Sequence, residues 1–308
     1  MLRVLLLGLT LVWVAAPLGA QPVFRSGIDL VHFGVTVLDK QGKLVPGLTA
    51  DDFAVHEEGE EQVVTYFTYG VEADASTMPL HLGLLFDTSG SMERDGEFAK
   101  TAAIKFLNSL TQAIDMTLVE FGDQVRVGRF SQANFPRLVE RIRQGESEGW
   151  TALYDALGVY LDGASSQDGR KVLLLYTDGE DTRSRIRLGD TLDLLKASDV
   201  TVYAIGFQEH LRASTRMVQR MRLQQIAEQT GGTCFFPDSV DALDEIYEQI
   251  RLEITGRYSI GYASTDERTD GTWRRVQIKV KTERPGLQDV NVRTRGGYFA
   301  PYREPLPR

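Results

Sequence analysis

The sequence predicts an α/β fold: a doubly wound, mainly parallel sheet inserted in, or flanked by, a small all-β sandwich formed by the N- and C-terminal segments. Three observations lead there. From residue 79 to 254 short apolar runs alternate with helical periodicities, the pattern of strands joined by crossover helices. On either side lie alternating strand patterns, and neither group has enough strands to close a core alone, so the two are expected to join. Two of the apolar runs end in carboxylates, Asp87 and Asp178, and in open parallel sheets functional groups collect beyond the carboxyl ends of the strands. The expected division is 1–20 as a secretion signal, 21–76 and 255–302 as the two parts of the sandwich, and 79–254 as the α/β domain.

The chain has 308 residues, 42% of them hydrophobic, enough for about two domains at roughly 150 residues each. Its net charge of −9 and pI near 5.1 argue against nucleic acid or an anionic membrane as partner, since those are bound through clustered Lys and Arg. A cationic ligand or a bridging metal ion is expected instead. Met1 to Ala20 reads as a secretory signal, with Arg3 as the positive start, Val4 to Ala16 as the apolar core and Ala20 at the cleavage position. Leu18 is larger than the usual residue there, so a retained N-terminal anchor is the alternative, although the run is shorter than the ~20 residues of a comfortable span. The expected location is secreted or periplasmic. The single cysteine, Cys234, excludes an intramolecular disulfide, and its setting before Phe235 and Phe236 reads as a small core hydrophobe.

Leu30 to Leu38 alternates as a half-buried strand. Leu44-Val45 reads as a short edge strand, and Thr49 to Asp52 as a capped single helical turn. Phe53 to His56 and Val63 to Tyr69 flank Glu58-Gly59 as a hairpin, whose Glu57–Glu61 cluster reads as a solvated tip. Residues 71–78 have no period and read as a linker. His81 to Asp87 is a buried strand, followed by a helical pattern at Ala103, Phe106, Leu107, Leu110 and Ile114. Met116–Phe121 and Val125–Phe130 pair across Gly122-Asp123. A helix from Thr151 to Leu161, a strand from Val172 to Thr177, a helix from Leu188 to Ala197 and a strand from Val200 to Ile205 follow. Helices over Met217–Gln229 and Val240–Ile254 close the α/β part. Tyr258–Tyr262, Val276–Val280 and Val290–Val292 then return to the strand period.

The chemistry concentrates at three stretches. Asp87-Thr-Ser89-Gly-Ser91 delivers a carboxylate and two hydroxyls at alternate positions into a loop, Thr151 opens a helix after Gly149-Trp150, and Asp178 ends a strand before Gly179. Oxygen donors of this kind suit a hard divalent cation. Asp, Ser and Gly also cap helices and build turns, and that is the alternative for each stretch taken singly. Glu180 and Asp181 add charge beside Asp178, with solvated loop acids as the plainer reading. Trp150, Tyr154 and Met92 are candidates for an apolar rim, Tyr154 also for helix packing.

At these residues the chain closely resembles the von Willebrand factor type A domain, a Rossmann-like fold whose metal-ion-dependent adhesion site has the pattern Asp-x-Ser-x-Ser, then Thr, then Asp. Asp87, Ser89, Ser91, Thr151 and Asp178 match all five positions. The resemblance implies that these five hold Mg²⁺, with Ca²⁺ or Mn²⁺ as possible substitutes, and that a partner protein's Asp or Glu completes the coordination. It also implies that a shift of the last helix, Val240–Ile254, is coupled to the site. The outer segments, with Thr49-x-x-Asp52-Phe53-x-Val55 before the first motif and Gly256-Arg-Tyr258 through Gly297-Tyr298 after it, resemble bacterial secreted proteins related to this family. The inserted arrangement is like that of the integrin β-subunit head.

The expected function is therefore a secreted, metal-dependent protein-binding or adhesion module, not an enzyme. The alternatives are a secreted Mg²⁺-dependent hydrolase and an interaction scaffold whose interface needs no metal. Against catalysis, the chain has no Gly-x-Ser-x-Gly, no phosphate-binding loop and no His-Glu-x-x-His, and its histidines, His32, His56, His81 and His210, are scattered.

Overall fold

The computed structural model describes residues 30–70, 79–109, 113–281, 287 and 289–302. The expected secretion signal or anchor at 1–20, the linker at 71–78 and Leu110 lie outside the described residues.

The first strand, β1 (Leu30–Leu38), keeps Phe33, Val35 and Val37 fully buried. A single 3₁₀ turn over Ala50–Asp52 follows, where the Asp52 carboxylate accepts from the Thr49 N–H at 2.7 Å and its hydroxyl at 3.0 Å. β2 (Phe53–Glu57) pairs with the short β3 (Glu60–Gln62), and β4 (Val64–Tyr69) does not continue that hairpin. The sequence suggests one hairpin from Phe53 to Tyr69. Instead the chain turns a corner at the exposed Val63 and β4 crosses to the other sheet, where its side chains meet the shared core. Leu44 makes only an isolated bridge to Leu38 rather than a strand.

The α/β part then runs through β5 (Leu80–Asp87), α1 (Gly96–Ser109), β6 (Asp115–Phe121), β7 (Val125–Ser131), α2 (Phe135–Gln144), α3 (Leu153–Ser165), β8 (Arg170–Thr177), α4 (Leu188–Ala197), β9 (Val200–Gly206), α5 (Ala213–Glu228), β10 (Cys234–Phe235) and α6 (Ala242–Thr255). Ile114 falls outside α1 and is half exposed. The sheet order is β10-β9-β8-β5-β6-β7, parallel except for the antiparallel β6–β7 pair. β5 and β8 are buried over almost their whole length, as strands covered on both faces must be. Phe106, Leu138, Tyr247 and Ile250, from α1, α2 and α6, pack on one face; Leu157, Tyr160, Leu195 and Ile226, from α3, α4 and α5, pack on the other. His81 is structural, with ring nitrogens 2.9 Å from Asp115 Oδ1 and 2.9 Å from the Asp168 carbonyl.

β11 (Tyr258–Ala263), β12 (Trp273–Val280), β13 (Asn291–Arg293) and β14 (Gly297–Phe299) complete the second unit. The sheets β13-β1-β11-β4 and β14-β12-β2-β3 each mix strands from both ends of the chain. They enclose one core that includes Phe33, Val55, Tyr258, Ile260, Tyr262 and Ile278. Glu57 departs from the expected solvated tip. It is buried, accepts from the Tyr262 hydroxyl at 2.7 Å and the Ser264 hydroxyl at 2.6 Å, and faces Arg274 at 3.3 Å, while Glu58, Glu60 and Glu61 stay exposed. No helix among the described residues is long and apolar enough to cross a membrane.

Candidate functional site

The order β8-β5-β6 fixes where functional groups gather. From β5 the chain moves to β6 on one side, while β8, β9 and β10 extend the other side, so the strand order reverses between β5 and β8. The carboxyl ends of β5 and β8 flank the crevice where such sheets bind ligands. Asp87 is the last residue of β5, and Asp178 follows the last residue of β8. Both are fully buried. The register that sets Phe86 against Tyr176 brings Thr177 level with Asp87, and the Thr177 hydroxyl donates to Asp87 Oδ2 at 2.5 Å.

Beyond β5 the chain folds back on Asp87. Its Oδ1 accepts the Ser89 N–H at 2.9 Å and the Ser89 hydroxyl at 2.5 Å, and the Ser89 and Ser91 hydroxyl oxygens lie 3.1 Å apart. Gly90–Met92 forms one 3₁₀ turn, held down by the fully buried Met92. Met92 is thus an anchor of the loop and not part of a rim. Asp178 makes a similar turn, its Oδ1 accepting the Glu180 N–H at 2.8 Å.

The loop bearing Thr151 is stitched to both neighbours. Gly90 N–H donates to the Gly149 carbonyl at 3.0 Å and Glu148 N–H to the Thr88 carbonyl at 2.9 Å. Gly149 has φ 76°, and a Cβ there would lie 2.6 Å from the Asp123 carboxylate that accepts the Trp150 N–H, so this crossing needs glycine. On the other side Thr151 N–H donates to the Thr182 hydroxyl at 2.9 Å, and its carbonyl accepts from the Thr182 and Arg183 N–H groups, each at 2.9 Å. The three loops carrying Asp87, Ser89, Ser91, Thr151 and Asp178 therefore meet at one sheet edge.

Four residues that sequence reasoning did not select belong to the same place. Thr177 holds Asp87 Oδ2. Gln208 Nε2 donates to the Asp178 carbonyl at 2.8 Å. His210 Nδ1 lies 2.5 Å from Asp95 Oδ2, and its Nε2 lies 3.8 Å from Asp178 Oδ2. Gln208 and His210 follow β9, whose carboxyl end lies on the same edge, and that rule could have found them. Asp181 has a structural role: it accepts the Tyr154 N–H at 3.3 Å and the Ser184 hydroxyl at 2.5 Å at the start of α3. Tyr154 is buried as a packing residue, whereas Trp150 is 60% exposed beside Thr151.

The electrostatics of this edge are unfavourable for the protein alone. Burial first, and the Asp178 charge second, push the Asp87 carboxyl up to about 7, with the hydrogen bonds from Ser89 and Thr177 pulling the other way. Partial burial and Asp178 also raise Glu180, with His210 and Arg222 opposing. Asp178 Oδ2 is buried with no hydrogen-bond partner among the described residues. Among those residues no cluster of three or more His, Cys, Asp and Glu is placed to hold a metal ion. The set here is different: two carboxylates with neutral hydroxyls, an all-oxygen group that fits a hard divalent cation. Such an ion would balance two buried negative charges and give the orphaned oxygen a partner.

A sequence model of the von Willebrand factor type A domain matches residues 81–249, more than half of the chain. No curated protein matches in sequence. Among solved structures, a von Willebrand factor type A protein from Catenulispora acidiphila is similar at 16% identity over 91% of this chain and 76% of its own, with a TM-score of 0.49. The vWF domain of the type V pili tip protein Mfa5 from Porphyromonas gingivalis is 12% identical over 58% of this chain and 97% of its own, with a TM-score of 0.46. Manganese-loaded Plasmodium vivax TRAP protein is 15% identical over 74% of this chain and 96% of its own, with a TM-score of 0.44. On the match over residues 81–249, this chain belongs to the von Willebrand factor type A domain family.

Proposed function

We propose that this protein is a secreted, non-enzymatic binding module that holds a divalent cation, Mg²⁺ in the first instance, with Asp87, Ser89, Ser91, Thr151 and Asp178. When bound, the ion supplies an open Lewis-acid position that a partner protein's Asp or Glu carboxylate can fill. The observation that carries the reading is the pair of buried carboxylates, Asp87 and Asp178, at the topological switch point, with Asp178 Oδ2 lacking a hydrogen-bond partner among the described residues. The protein's own part is to fix the donors. Ser89 and Thr177 hold the two oxygens of Asp87. The Gly90–Gly149 and Thr151–Thr182 bonds hold the three loops in one arrangement. Trp150 supplies an exposed apolar surface next to Thr151 that suits a protein partner.

A hydrolase is less well supported. The Ser89 hydroxyl is engaged by Asp87 and lies against Ser91, and His210, held by Asp95 through Nδ1, turns its Nε2 toward Asp178 at 3.8 Å. Among the described residues no serine hydroxyl is hydrogen-bonded to an imidazole, the pairing that activates a serine nucleophile.

Calorimetric titration of residues 21–308 with Mn²⁺ and Mg²⁺ tests the proposal. One site is expected for each ion, with binding abolished in Asp87→Ala while its cooperative melting is kept. A folded wild-type protein that takes up neither ion sinks the reading. Equal partner capture by wild type and Asp87→Ala would leave the interface independent of metal.

A further inference from the structure

At the end of the parallel sheet opposite the carboxylate loops, the α/β unit meets the sandwich across a cavity of about 90 Å³. Arg170, the first residue of β8, lines it from one side, and Arg257 and Arg295 line it from the segments preceding β11 and β14. Lys171 stands beside them, and Arg293 is close by. In a chain whose net charge is −9, this is a local concentration of cations.

Two carboxylates near this seam, Asp199 and Glu253, stand against five cations. Asp199 pairs with Lys171 at 2.6 Å, and Glu253 pairs with Arg293 at 2.5 Å. The three arginines are left with neutral partners among the described residues. Arg170 donates to the Ile254 carbonyl. Arg257 donates to the Thr201 hydroxyl and, at 2.8 Å, to the Gly34 carbonyl. Arg295 donates to the carbonyls of Ser198 at 3.2 Å and His32 at 2.8 Å. Arg257 is 9% exposed, and its Nε is buried without a partner among the described residues.

Buried charges are ordinarily paired. Here burial holds Arg170 down to about 10 and lowers Arg257 and Arg295; the charge of Arg257 lowers both of its neighbours further, while Asp199 pulls Arg295 and Glu253 pulls Arg257 the other way. A cavity of this volume has room for several waters, at about 30 Å³ each, or for one small anion. The planar, multiply donating guanidinium is suited to oxyanions above all.

We propose that this seam binds one small oxyanion of the phosphate or sulfate class, held between Arg170 on the α/β side and Arg257 and Arg295 on the sandwich side. The anion neutralises the excess positive charge and ties the two units together. Its binding is independent of the carboxylate loops at the other end of the sheet.

The test is calorimetric titration of sulfate, and separately of inorganic phosphate, into the protein in chloride buffer with divalent cations chelated. One saturable site is expected for each. The melting temperature should rise and level off with sulfate, unlike the steady, non-saturating effect of an excluded salt, and chloride at equal ionic strength should not reproduce it. Asp87→Ala should bind sulfate like wild type. Arg295→Gln should bind it roughly tenfold or more weakly, the loss expected for one charge-assisted contact. Arg170→Gln gives the same reading if Arg295→Gln does not fold. The proposal is overturned by the absence of a saturable site in wild type, or by unchanged affinity in either folded variant.

Discussion

A carboxylate at a strand end is positioned by what donates to it. Asp87 receives one hydrogen bond to Oδ1 from the Ser89 N–H, a second from the Ser89 hydroxyl, and one to Oδ2 from Thr177. Ser89 comes from the same loop, so its bonds are local; among the described residues Thr177 supplies the side-chain bond that ties the Asp87 carboxylate to β8. Thr177→Val removes that bond with little change of shape. It is expected to weaken Mn²⁺ affinity roughly tenfold or more, as losses of outer partners of metal ligands do, with Thr177→Ser restoring it. Unchanged affinity in a folded Thr177→Val protein, measured by calorimetry, would show that the bond positions nothing. The five proposed ligands are legible in the sequence because their types and spacing survive in a linear reading, and two of them end apolar runs. Thr177 is not legible in that way, because its role comes from the register between β5 and β8. Nor is the Asp95–His210 contact, which joins residues 115 apart in the chain. Cys234 fits the plain reading: in β10, paired beside β9, it packs against the core, and burial pushes its thiol far above the usual range.

At the level of elements, apolar period predicts most of the strands and helices. β1, β5, β9 and α4 emerge close to the sequence reading. α2 does not, although Phe135, Leu138, Val139 and Ile142 recur at i, i+3, i+4 and i+7 and pack on the core; three arginines and a proline break up the apolar look of the segment without breaking its helical period. The crossing of β4 to the second sheet is also invisible, since alternation tells which side of a strand is apolar but not which sheet it joins. One residue inside β5 carries a sharper constraint. Gly83 lies in a buried central strand, where glycine ordinarily weakens the strand. A Cβ there would sit 2.3 Å from the ring of the buried Tyr160, so α3 packs against bare backbone. Gly83→Ala is accordingly expected to destabilise the protein by roughly 1–3 kcal/mol through overpacking. The reading is a lowered urea midpoint at unchanged slope. An unchanged or raised midpoint would mean that Tyr160 can move aside, and that the glycine is not kept for this contact.

Across the whole molecule, the sandwich is made from two stretches separated by the α/β unit, and its geometry says how independent the two are. β4 and β11 are antiparallel neighbours, with Tyr69 opposite Tyr258, and the Gly70 N–H donates to the Arg257 carbonyl at 2.9 Å. The points where the chain leaves and re-enters the sandwich are therefore adjacent, and a tight hairpin could join them. The sandwich core is also its own: Phe33, Val55, Ile260, Tyr262 and Ile278 pack together, and Glu57 and Arg274 pair within it. Against this stand the junction contacts, including Arg295 to the Ser198 carbonyl, Arg293 to Glu253 and Lys196 over the Trp273 ring. These junction contacts are polar or cation–π, whereas the core is apolar, and hydrophobic burial is the larger force in folding. Replacing residues 71–256 by Asn-Gly, a pair suited to a two-residue hairpin turn, is expected to leave a folded all-β protein. Its far-UV circular dichroism should lose the helical signal, its melting should remain cooperative, and it should bind no Mn²⁺. A non-cooperative, unfolded product would mean that the junction, and any anion held in it, is needed for the sandwich to fold.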